Sequence, residues 1–68
     1  MYRGEHMRSR REAEILQAIA DGLTNTDIAD KLYISLSTVK SHIASIFRKL
    51  EVKSRVMAVE KARQMGII

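Results

Sequence analysis

A chain of 68 residues is one domain, close to the lower size at which a core folds without staples. It has no cysteine, so neither a disulfide framework nor a cysteine-based zinc site is expected. No apolar run approaches the roughly 18 residues of a membrane span, and the polar start lacks a signal-peptide core, which fits the cytosol and no membrane partner.

The net charge of +4 matters less than its placement. Residues 37–55 hold five Lys or Arg against one acid, whereas residues 13–36 hold four acids against one Lys. A basic segment set against an acidic one suits a nucleic-acid face with an opposite pole, and an unevenly charged solvated surface would look the same. Hydrophobic residues make up 46% and aromatics only 4%, the profile of a helical bundle packed with Ile, Leu, Val, Ala and Met. Stacking on single-stranded bases would need more rings than Tyr2, Tyr33 and Phe47 offer.

Residues 1–8 show no periodicity and read as a flexible arm. Met7 follows a Gly-containing hexapeptide and is itself a candidate start, in which case residues 1–6 are foreign to the native sequence. The folded domain is expected over residues 9–68. Helix one opens at Ser9, whose pairing with Glu12 forms a capping box, although Arg8 and Ala13 supply no hydrophobic staple. Ile15, Leu16, Ile19 and Ala20 form its buried stripe, and Gly22 suits a left-handed C-terminal cap.

Helix two opens at Thr24, with Asp27 completing a capping box and Leu23 and Ile28 forming a staple. It is short, about ten residues by its pattern, with Ile28, Ala29 and Leu32 inward. Tyr33 and Ile34 make the turn. Helix three spans residues 35–50, from the Ser35 cap onward, with Ile34 and Val39 as its staple. Val39, Ile43, Ile46 and Leu50 share one stripe at helical spacing. Opposite them lie Ser37, Ser41, Ala44 and Arg48, with Lys40 at the flank. Small side chains edged by cations suit a major groove, where bulk would block approach and phosphates line both walls.

After a break at residues 51–53, a last helix capped by Ser54 runs to Gln64 or Met65 and stops at Gly66. Its apolar arc is wide, with Val56 and Val59 on one side and Ala58, Ala62 and Met65 on the other. No stretch has strand periodicity and no proline occurs. The expected fold is all-α, a four-helix bundle containing a helix-turn-helix. Ala29 would be the small residue where helices two and three cross, and Ile28, Leu32, Ile34 and Val39 would lock the corner.

Catalysis has little to work with. His6 and His42 are far apart, and His42 flanks the core stripe of helix three, the place of a partly buried structural residue. Asp27 and Asp30 are explained by capping and solvation. No metal-protease, phosphate-loop or nucleophile-elbow motif occurs. No enzyme, metal or cofactor is expected.

Glu12, GLTNTDIADKL at 22–32, ISLSTVKSH at 34–42, KLEVKSR at 49–55 and AV at 58–59 together resemble the LuxR/FixJ-type (GerE-like) DNA-binding domain over roughly residues 8–68. The family tolerates a non-glycine turn such as Tyr33. The resemblance implies a DNA-binding output domain of a bacterial transcription regulator, either excised from a response regulator or stand-alone. Its partners would be double-stranded DNA, a second copy of the chain and RNA polymerase.

Position by position, the resemblance places Ser37, Lys40, Ser41 and Ala44 toward the major groove, with Lys40 on a base edge or phosphate. Thr38 matches a phosphate-contacting hydroxyl. Thr24, Asn25 and Lys49 match positions that grip the DNA backbone. For Lys49 and Arg48 a merely solvated face is the other reading. Ala44 offers only apolar contact, for instance to a thymine methyl. Glu12 and Arg55 occupy an acid–arginine pair expected to tie helix one to helix four. Val56, Val59 and Arg63 are the expected dimer surface, although the two valines would serve equally to complete a small core. A helical protein-interaction module that has lost DNA is the alternative of a different class. A sigma-factor region using the same motif is disfavoured by the VKSRVMAV ending.

Overall fold

The computed structural model describes residues 10–68. The expected arm and the Ser9 cap lie outside the described residues. Within them are four helices and no strand: α1 (Arg10–Ala20), α2 (Asn25–Leu32), α3 (Leu36–Leu50) and α4 (Arg55–Gln64). The all-α, four-helix reading holds. α2 is 8 residues long, shorter than its pattern suggested, because Tyr33 leaves helical geometry.

Local chemistry accounts for the helix starts. Thr24 Oγ1 accepts from Asp27 N while Asp27 Oδ2 accepts from Thr24 N, both at 3.1 Å, so the expected box is formed. Ser35 Oγ accepts from Thr38 N and Ser54 Oγ from Met57 N. Each cap satisfies a donor that the first helical turn leaves without an intrahelical acceptor.

The helix ends share one closure. Leu23 donates to Ala18 O, Ile34 to Ala29 O, Val52 to Phe47 O and Ile67 to Ala62 O. Each is the six-to-one bond of a Schellman ending, and each donor is an apolar residue folded back toward the core. The left-handed residue before it is Gly22 or Gly66 at two ends, but Tyr33 (φ 59°) and Glu51 (φ 58°) at the ends of α2 and α3. A side chain in that conformation is strained by its Cβ. Tyr33 is 94% exposed, so no side-chain packing compensates there.

The core is built from Ile15, Leu16, Ala18 and Ile19 of α1, Ile28 and Ala29 of α2, Val39, Ile46 and Leu50 of α3, Val52, and Ala58 and Ala62 of α4. Ile43, expected in the α3 stripe, packs at its margin with Leu32, Ile34 and Phe47. α3 packs against all three other helices, and α1 also against α4. α3 is therefore the most embedded element on one side, and its opposite side stands clear.

Candidate nucleic-acid interface

The clear side of α3 carries Ser37, Lys40, Ser41, Ala44 and Arg48, all exposed. Val39 and Ile46 behind them are fully buried, which fixes the helix rotation and holds this face outward. Thr38 is exposed and joins a hydroxyl cluster at the first turn. Its Oγ1 lies 2.8 Å from Ser35 Oγ, and Ser37 Oγ lies 3.1 Å from the same atom.

A shallow depression of about 510 Å³ joins this face to the start of α2, lined by Gly22, Leu23, Thr24, Asn25, Thr26, Leu36, Lys40 and Arg55. The structure thus brings Thr24, Asn25 and Lys40 together around one concavity. Thr24 Oγ1 serves as the cap acceptor, so its own hydrogen remains available to donate. The N–H groups of Asn25 and Thr26 belong to the first turn of α2, whose positive dipole end favours an anion. Thr26 and Leu36 also line it, outside the expected site residues. The signal for Leu36, which is 40% exposed, was its place one helical turn before Lys40.

The acid–arginine pairing differs from expectation. Glu12, 4% exposed, forms its salt bridge with Lys49 Nζ at 2.8 Å, which ties α1 to α3. The Arg55 guanidinium instead donates from NH1 to Asn25 Oδ1 and from NH2 to the Leu23 carbonyl, both at 2.8 Å. The physical reason is reach and geometry. Lys49, on the last turn of α3, presents a point charge to a buried carboxylate, while the planar arginine fork spans two oxygens on one segment. Lys49, expected on the DNA backbone, is thereby engaged within the fold.

Of the expected dimer residues, Val56 is 71% exposed, Arg63 is exposed and Val59 half-buried. Val56, Val59, Ile19 and Ala20 border one shallow groove beside α4. Ala58 and Ala62 take the core positions of α4. Hence the wide apolar arc of this helix is only partly used within the chain. His42 is half-buried beside the α3 stripe. Among the described residues, no cluster of His, Asp or Glu could hold a metal, and no helix is long and apolar enough to cross a membrane.

A short α2 packed against α3, with an exposed face of small and basic side chains on the second helix, defines a helix-turn-helix domain. Residues 8–62 match the family described as bacterial regulatory proteins, luxR family, and the chain belongs to it. It is 42% identical over 66 residues to the response regulatory protein YgeK of Escherichia coli, covering 97% of this chain and 45% of that protein. The response regulator ChrA of a heme-sensing two-component system superposes with a TM-score of 0.86 at 48% identity, over 88% of this chain and 30% of ChrA. The transcription factor GerE superposes at 0.84 with 33% identity, over 90% of this chain and 91% of GerE. The chain thus spans less than half of YgeK and ChrA but nearly all of GerE.

Proposed function

We propose that the chain binds double-stranded DNA sequence-specifically as the output domain of a bacterial transcription regulator, with α3 as the recognition helix. The observation that carries this reading is the outward face of α3: small exposed side chains flanked by Lys40 and Arg48, held outward by Val39, Ile46 and Leu50 buried on the opposite side. Such a face approaches base edges closely in a major groove, while the start of α2 meets the sugar–phosphate wall. Ser37, Lys40, Ser41 and Ala44 then face the groove, and Thr24, Asn25 and Thr38 hold the backbone. Lys49 contributes by fixing α3 through Glu12 instead of by reaching phosphate.

Dimerisation on DNA uses α4 through Val56, Val59 and Arg63, weakly without DNA, and places two recognition helices on half-sites about one helical turn apart. The domain acts in the cytoplasm as a binding module without catalytic chemistry or cofactor, with RNA polymerase as a further partner. Membership in a family with response regulators and GerE supports either a response-regulator output domain or a stand-alone regulator.

The test is fluorescence anisotropy with a random duplex pool across a salt series. Wild type is expected to bind with a steep log–log salt dependence, roughly −0.9 per neutralised phosphate, and Lys40→Ala to bind about tenfold more weakly. Absence of binding by the wild type even at low salt would overturn the DNA reading in favour of a protein-interaction module.

A further inference from the structure

Arg55 is the first residue of α4, yet both of its side-chain bonds go to the start of α2. NH2 donates to the Leu23 carbonyl, and NH1 to Asn25 Oδ1. The second bond fixes more than a distance. A guanidinium can only donate, so the Asn25 amide must turn its oxygen toward Arg55. Its Nδ2 group, which carries both donor hydrogens, then points away from Arg55.

Arg55 and Asn25 line the same depression as Thr24, Thr26 and Lys40. We infer that Arg55 is a positioning residue for DNA binding: from the start of α4 it orients the Asn25 amide so that its two hydrogens are offered to a phosphate at the start of α2. This inference rests on the DNA reading above and adds to it a coupling between α4 and the DNA-gripping end of α2.

The arrangement separates this role from that of a direct cation. A phosphate contact made by charge alone survives replacement by lysine. A fork that holds two oxygens on one segment does not, because the ammonium is a single point without planar geometry.

The decisive experiment is a double-mutant cycle with Arg55→Lys and Asn25→Ala. Affinity for a random duplex pool is measured by anisotropy and corrected for the folded fraction by circular dichroism. Arg55→Lys alone is expected to weaken binding roughly tenfold, the size of one lost charge-assisted contact, with the salt slope unchanged because no charge is lost. In the Asn25→Ala background the same change should cost less than about twofold, since the group it orients is gone. Full binding by Arg55→Lys, or additive losses in the cycle, overturns the inference while leaving the DNA reading intact. Absence of binding by wild type overturns both. Asn25→Ala keeps the test decisive even where Arg55→Lys loses the fold, because wild-type affinity in that protein would itself refute an oriented amide.

Discussion

Replacing Lys49 by Met removes the ammonium that reaches Glu12 and leaves most of the aliphatic stem in place. Glu12 has a side chain only 6% exposed, and Lys49 one that is 35% exposed, with nitrogen and oxygen 2.8 Å apart. At an effective dielectric of about 20, the gross attraction at such a distance is about 6 kcal/mol. Exposure of the lysine and the cost of desolvating both charges reduce this. Breaking a fully buried pair costs roughly 3–5 kcal/mol and an exposed one at most about 1 kcal/mol. A pair buried at one end falls between, near 2 kcal/mol, which for a domain of this size lowers Tm by about 10–15 °C. The assay is thermal unfolding followed by circular dichroism, with DNA affinity measured well below the transition. Glu12→Gln in the same chain should remove most of the penalty, so the double variant is more stable than the sum of the single effects. Melting of Lys49→Met within about 2 °C of wild type, together with a tenfold drop in its DNA affinity, would refute this role for the ion pair. That result would mean the ammonium works on phosphate and the ion pair adds nothing to the fold.

Tyr33→Gly relieves a left-handed conformation that carries an almost fully exposed ring. The relief of roughly 1–2 kcal/mol is partly offset by glycine's greater freedom in the unfolded chain, so a net gain of about 0.5–1 kcal/mol is expected in urea unfolding. A loss of stability would show that the exposed ring packs against something after all. Val56→Glu should leave Tm within about 3 °C, because the side chain is 71% exposed. Sedimentation of the complex on a duplex carrying two half-sites should then show one domain bound instead of two. Two domains bound with unchanged cooperativity would remove α4 as the dimer surface.

The helix starts at Thr24, Ser35 and Ser54 are legible in sequence because a cap is an exchange between residues three apart. The α3 stripe is legible for the same local reason. Its members recur at the helical period, so burial of Val39, Ile46 and Leu50 follows from spacing. The turn at Tyr33 is less so. Pattern alone asks for glycine there, and the chain instead bears the strain of a left-handed tyrosine, stabilised by the closing bond from Ile34 to Ala29. Partner choice among distant charges is the part that does not follow from sequence. Glu12 lies 37 residues from Lys49, and no periodicity relates it to Lys49 rather than to Arg55. Only the crossing of α1 over the end of α3 decides between them.

That choice changes how the basic segment acts. Counting residues 37–55 as five cations facing one phosphate surface overstates the electrostatic footprint, because two of them have internal partners. Lys49 is held by Glu12, and Arg55 by Asn25 and Leu23. Lys40 and Arg48 lie on the outward face of α3, and neither forms a salt bridge with another described residue. Each phosphate neutralised adds about −0.9 to the log–log salt slope. Lys40→Gln and Arg48→Gln should therefore each flatten the slope by about 0.9. Lys49→Met should leave the slope of the folded protein unchanged although it also removes one positive charge. Arg55→Lys should leave it unchanged while lowering affinity. Equal flattening by Lys40→Gln and Lys49→Met would mean that DNA draws Lys49 away from Glu12. In that case complex formation would break the tie between α1 and α3, and bound protein would exchange the amides of α1 faster than free protein does.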